Sequence, residues 1–165
     1  AHALTFGIDY INDVSGASDA MLQVLDGSDA GLIVMHSLGI PASKDQNLPS
    51  DGDVINELKC WFKNKKQQIE SYNIKQVIFD PGIGFGKQAK QSLQLLARCP
   101  ELQELGVPLY IGHSRKSFMT LFSDAAANER DGLTLAFSAM LIDRGVDYLR
   151  VHDVARHHTL REQLA

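Results

Sequence analysis

Five short apolar runs in this sequence end in residues suited to ligand chemistry: Asn12-Asp13, His36-Ser37, Asp80-Pro81-Gly82, Gly112-His113-Ser114-Arg115-Lys116 and Arg150-Val151-His152-Asp153. Asp80 either caps its own turn or, at the base of a pocket, accepts two parallel N–H donors from one ligand edge. Phe85, between Gly84 and Gly86, is either packed core or a lid over a flat ligand. The flanking glycines permit close backbone approach and favour the lid. Ser114-Arg115-Lys116 is an exposed basic turn or, at a strand end beside Gly112, a source of ligand contacts. There Lys116 can donate to a ligand carbonyl or ring nitrogen, and Ser114 can orient a second substrate. Arg150 and His152 are two apart on a strand and share a side. With Arg giving forked, permanent charge, they make an anion site; His152 is otherwise a core histidine with a satisfied ring.

The run Asp80-Pro81-Gly82-Ile83-Gly84-Phe85-Gly86-Lys87 matches neither of two familiar phosphate loops. A dinucleotide fingerprint counted from Gly82 needs Gly at Lys87, and a nucleotide P-loop needs Gly at Pro81 and Ser or Thr at Gln88. What remains is a strand-end carboxylate and a flexible turn bearing one aromatic ring.

The elements that must position these groups follow from patterning. Strands are predicted at 9–14, 32–36, 76–80, 108–112 and 147–152, with little polar alternation before their last residues, as in strands covered on both faces. An amphipathic helix is predicted at 53–72, with Val54, Ile55, Leu58, Trp61, Phe62 and Ile69 on one face and Asp51 or Asp53 as cap. A second covers 127–144 and stops at Gly145, with weaker helices at 91–98 and 153–164. Strand alternating with helix gives βα units and a parallel sheet. In such folds ligands bind at the C-terminal strand ends, so the five polar clusters predict one shared site. Residues 38–52 form one long loop, a length more often functional than filler.

Composition narrows the class. The chain has 165 residues, 44% hydrophobic and 22% charged, with net charge −4. This suits one globular domain and argues against broad nucleic-acid binding. No apolar run reaches the roughly 18 residues of a membrane span. Cys60 and Cys99 read as reduced thiols of a cytoplasmic protein. His36 reads as a hydrogen-bonded core or rim residue, and His157, His158 and the Lys63–Lys66 run as solvated. The opening AHALTFGIDY reads as the end of a helix feeding a strand, so the chain is expected to start partway through a fold.

In this order, the stretches Ile11-Asn12-Asp13-Val14, Val34-Met35-His36, Phe79-Asp80-Pro81-Gly82-Ile83-Gly84-Phe85-Gly86-Lys87, Gly112-His113-Ser114-Arg115-Lys116-Ser117 and Leu149-Arg150-Val151-His152-Asp153-Val154 resemble the signatures of the dihydropteroate synthase family. The resemblance covers essentially the whole chain. It implies a TIM (β/α)8 barrel, a transferase of folate biosynthesis and a sulfonamide target. The implied reaction joins 6-hydroxymethyl-7,8-dihydropterin pyrophosphate to p-aminobenzoate, releasing pyrophosphate with Mg2+. It assigns Asn12, Asp80 and Lys116 to the pterin ring, with Met35, Phe85 and Gly112 around it. Phe85, Ser114 and Lys116 border p-aminobenzoate, and Arg150 and His152 hold the pyrophosphate. Lys116, Arg150 and His152 are the implied catalytic groups.

There are departures. The family usually carries Asn where this chain has Ser92. A full barrel takes about 250 residues, and this chain holds five βα units, read as the C-terminal portion of one domain. The absent strands would bring two mobile loops and the protein ligand for magnesium; no metal ligand is assigned within this chain. The expectation is an incomplete, inactive fragment that self-associates as a dimer through an exposed edge. Two other readings stay in view. A pterin-binding methyltransferase domain shares the barrel but has no use for Ser114-Arg115-Lys116 or the Arg150/His152 pair. A non-catalytic barrel fragment keeps only the fold.

Overall fold

The computed structural model describes residues 1–43 and 45–164; Lys44, within the predicted long loop, and Ala165 lie outside them. Five parallel strands follow in chain order: β1 (Tyr10–Asp13), β2 (Gly31–Met35), β3 (Val77–Asp80), β4 (Tyr110–Ile111) and β5 (Tyr148–Leu149). An isolated bridge between Phe79 and Leu109 joins the β1-β2-β3 sheet to the β4-β5 pair. Helices α1 (Asp19–Leu25), α2 (Val54–Ile69), α3 (Ala89–Ala97), α4 (Pro100–Gln103), α5 (Asp131–Asp143) and α6 (Val154–Leu164) cover the outer face. The fold is α/β and forms part of a TIM barrel.

Alternation along each strand sorts the side chains. Leu32, Val34, Phe79, Leu109 and Ile111 face the helices and are buried in one cluster with Leu22, Leu58, Phe62, Leu95, Phe118 and Leu141. The other set, Tyr10, Asn12, Ile33, Met35, Ile78, Asp80, Tyr110 and Gly112, faces the barrel axis. Gly31 is a glycine for a local reason: a Cβ there would stand 2.6 Å from the Tyr10 ring. That ring lies across it to put the Tyr10 hydroxyl on Gln76.

The helix pattern holds with shifted ends. α2 buries Val54, Ile55, Leu58, Phe62 and Ile69, while Trp61 is half-buried. Asp53 is its cap, accepting from Ile55 N–H at 2.9 Å. Arg98 forks onto the same carboxylate at 3.0 and 3.1 Å and ties the end of α3 to the start of α2. The predicted helix 127–144 is two pieces: a short 3-10 turn, Ala127–Glu129, then α5, with the break at Arg130. Helix α1, capped by Ser18, was not predicted; its seven residues are too short for a clear period. Two expectations of solvation are corrected. Lys65 and Lys66 are half-buried and donate to the carbonyls of Ala17 (3.2 Å) and Leu105 (3.1 Å). His157 is also half-buried, its Nδ1 2.6 Å from the Asp153 carbonyl and its Nε2 buried without a partner. Long stems packing against the sheet explain the lysines. Cys60 and Cys99 are free thiols, exposed and buried respectively.

The exits of β2 and β3 are pressed together. His36 N–H donates to the Asp80 carbonyl at 2.9 Å. Gly82, at φ 65°, has no room for a side chain, because a Cβ would lie 2.0 Å from the His36 carbonyl oxygen. Gly82→Ala is therefore expected to cost roughly 3 kcal/mol or more, from left-handed strain plus a backbone clash. Urea unfolding of native and variant chains measures this; a loss under about 0.5 kcal/mol refutes the packing described.

Candidate active site at the C-terminal strand ends

Asp80 ends β3 on the axis side, beside Met35 in the β2 register, and only 2% of it is exposed. One oxygen accepts the Gly82 N–H at 2.7 Å. Burial pushes its carboxyl up to about 6, against the Gly82 N–H and the positive fields of Arg150, Lys116 and Lys87. It is thus both a turn cap and a buried carboxylate, with three cations from three segments around it.

The loop after Asp80 is shaped by Gly82, Gly84 and Gly86, all at positive φ. Phe85 N–H closes a turn onto the Gly82 carbonyl at 2.9 Å. The Phe85 ring is half-buried, and Lys116 Nζ sits over it at 4.4 Å. Phe85 is thus a rim residue under a cation and is not enclosed in the core. Lys116 is held below the ordinary lysine value by burial and by Arg150, opposed by Asp80.

Beneath this loop lies a group that sequence reasoning missed. Lys87 is 5% exposed. Its ammonium donates to His36 Nδ1 (2.8 Å), the His36 carbonyl (3.3 Å) and the Phe85 carbonyl (2.8 Å), using all three donors. Burial lowers Lys87 to about 7 and His36 to about 3. His36 is a neutral acceptor that also meets Trp61 edge-to-face at 5.0 Å. The signal was present: Lys87 closes the glycine run, and a lysine there without P-loop spacing needs some other partner.

A cavity of about 420 Å³ opens beside these groups, lined by Gly112, Ser114, Lys116, Arg150, Val151 and His152. Gly112 leaves room for Arg150: a Cβ there would meet the guanidinium at 2.8 Å and displace it. Arg150 and His152 lie just past the end of β5, both exposed. Ser114 is buried, and its hydroxyl is 2.8 Å from His152 Nδ1. Arg115, between the two lining residues, points elsewhere and forks onto Asp131 at 2.7 and 2.9 Å. His113 is fully buried on Ser138 at 2.8 Å and is pushed down to about 4 by burial. Asn12 is exposed on β1, outside this cavity, and its amide has no hydrogen-bond partner among the described residues. Leu48 and Pro49 of the long loop are held in place: Gln91, buried in α3, donates to their carbonyls at 3.1 and 2.9 Å. Ser92 is buried in the same helix.

The family description "Pterin binding enzyme" matches residues 1–152. The chain belongs to the pterin-binding enzyme family. A dihydropteroate synthase of Synechocystis sp. is 41% identical over 157 residues, covering 92% of this chain and 54% of that protein. A folate synthesis bifunctional protein of Chlamydia caviae is 36% identical over 151 residues, covering 90% of this chain and 34% of its own length. The crystal structure of dihydropteroate synthase from Anaplasma phagocytophilum with bound 6-hydroxymethylpterin-monophosphate superposes with a TM-score of 0.91 at 34% identity, over 99% of this chain and 65% of that one. Dihydropteroate synthase from Thermus thermophilus in complex with 4-aminobenzoate gives 0.90 at 30% identity, over 98% and 64%. The chain spans from a third to about half of the length of the two sequence relatives. Among the described residues no helix is long and apolar enough to cross a membrane, and no three His, Cys, Asp or Glu side chains gather as a metal site.

The Asp80 carboxyl has a stability signature. Its folded-state value of about 6 lies above the ordinary 3.8, so the folded chain favours the protonated form. That contribution is complete below pH ~4 and is lost as pH rises through ~6, a swing on the order of 3 kcal/mol. Asp80→Asn, which keeps an acceptor for Gly82 N–H, is expected to be more stable than the native chain at pH 8 and equal to it near pH 3.5. Denaturant titration at the two pH values checks this; equal stabilities at pH 8 contradict the burial argument.

Proposed function

We propose that this chain carries the pterin, p-aminobenzoate and pyrophosphate contacts of a dihydropteroate synthase. The observation that supports it is the buried Asp80 carboxylate facing Lys116 and Arg150, beside a cavity walled by Ser114 and His152. A pterin offers its 2-amino group and N3–H as parallel donors, which the two oxygens of Asp80 can accept. Lys116 donates to the same ring, with Met35 and Gly112 packing beside it and Asn12 reaching in from β1. Phe85 covers the junction with p-aminobenzoate, and Ser114 borders it. Arg150 and His152 hold the leaving group.

In the reaction, the aniline nitrogen of p-aminobenzoate attacks the pterin methylene as its C–O bond to pyrophosphate breaks. The electron pair leaves with pyrophosphate, and the new C–N bond forms with loss of the aniline proton. The nucleophile is a neutral amine, so the site needs no strong base. It needs fixed positive charge where the anion separates, which Arg150 supplies. Among the described residues no three His, Cys, Asp or Glu side chains gather to hold the magnesium ion that the resemblance implies.

The pterin-binding methyltransferase reading is weaker. It leaves the basic wall of Lys116, Arg150 and His152 without a use, and the relatives above bear synthase or folate-synthesis names.

Calorimetry with an oxidised pterin is the direct test. The native chain is expected to bind, and a folded Asp80→Asn chain to bind at least about tenfold more weakly, for loss of a charge-assisted pair. Equal binding by both removes Asp80 from the pterin role. The 165 residues alone are expected to bind without turnover; pyrophosphate release at a rate typical of enzymes by the pure chain overturns that part.

A further inference from the structure

We propose that Ser114 is a positioning residue that locks His152 in the tautomer with its proton on Nε2, presenting a fixed N–H donor to an anion in the cavity. This rests on the reading of that cavity as the leaving-group site.

The hydrogen bonds carry it. Ser114 Oγ accepts the backbone N–H of His152 at 3.3 Å and lies 2.8 Å from Nδ1 of the same ring. A hydroxyl has one proton to give. Ser114 is 6% exposed, and its hydroxyl has no other acceptor among the described residues. If Nδ1 carried the ring proton, both hydrogens would point at Oγ and the hydroxyl proton would have no acceptor among the described residues. With Nδ1 as acceptor every group is satisfied, and the ring proton must sit on Nε2. His152 lines the cavity, and Nε2 has no partner among the described residues. An oxyanion there meets the Arg150 fork and one neutral N–H donor whose direction is fixed. The hydroxyl assigned on sequence to the second substrate thus also engages His152.

The tautomer is read directly. In a histidine-labelled chain, long-range 1H–15N correlation at pH 8, where an imidazole is neutral, distinguishes protonated from bare ring nitrogens. His152→Gln identifies the signal. The native ring is expected to show a protonated Nε2 and a bare Nδ1. Ser114→Ala is expected to give a mixture of tautomers and to weaken inorganic pyrophosphate, measured by calorimetry, roughly tenfold. Ser114→Thr, which keeps the hydroxyl, is expected to restore both. A native ring protonated on Nδ1 or already mixed overturns the proposal, as does a Ser114→Ala chain with unchanged tautomer and affinity. The native spectrum needs no substitution, so a variant that fails to fold does not shield the idea. A locked native ring in a chain that binds no pyrophosphate overturns the leaving-group reading and leaves the hydroxyl–imidazole bond standing.

Discussion

The site is organised by the cost of burying one carboxylate. Asp80 is held almost out of water at the end of β3, where an isolated charge costs several kcal/mol. Its opposing charges come from separate segments: Lys116 after β4, Arg150 after β5 and Lys87 from the glycine loop. Each lysine is also disfavoured by its surroundings. Lys116 is lowered by burial and by Arg150, and Lys87 by burial and by Lys116. Asp80 thus gathers cations that would otherwise repel one another. The geometry of β3, β4 and β5 fixes how far apart they stand. The cations do not fully offset burial, since the carboxyl is still pushed up to about 6. On the proposed reading, the two N–H donors of a pterin edge would complete the balance.

The glycine loop solves the next problem, that of carrying an aromatic ring past this charge without filling the pocket. Gly82 lets the chain turn against the His36 carbonyl, and Gly86 makes room for Leu38. The Lys87 ammonium then fastens the loop from below by bonding the carbonyls on both sides of the gap, His36 and Phe85. An apolar residue there would leave the Phe85 carbonyl without this donor. It would also leave His36 Nδ1 buried without its partner, so His36 and Lys87 are best seen as one unit.

Much of this was legible in the sequence because parallel strands announce themselves twice, by continuous apolar runs and by the polar clusters at their ends. All five strands were placed, though β4 and β5 are only two residues long where five and six were predicted. Asp80, Gly112, Ser114, Lys116, Arg150 and His152 converge because strand order brings their C-terminal ends together. The parts that were not legible depend on contacts between elements distant in sequence. Arg115 and Asp131, His36 and Lys87, and Gln91 and Leu48 meet only after the strands align, and no local pattern marks them. His157 was misjudged because its helix looks polar along its length, yet α6 packs against α5 and the His157 ring bonds the Asp153 carbonyl one turn back.

The Ser114-Arg115-Lys116 triplet shows how such a distant contact shapes the site. Ser114 and Lys116 line the cavity while the residue between them faces away. Arg115 adopts φ 59°, a left-handed conformation that costs a non-glycine residue on the order of 1 kcal/mol. Its backbone N–H finds Thr134 Oγ1 at 3.2 Å, and its side chain forks onto Asp131 at the start of α5. About a quarter of each side chain in that pair is exposed, so its net Coulombic contribution is small. The fork matters for direction. It anchors the outward residue, which stands between two residues that line the cavity, to a helix that also holds His113 through Ser138. Lysine at position 115 would keep the charge and lose the two-point grip. The loss would fall on the placement of Ser114 and Lys116, and through Ser114 on the ring of His152.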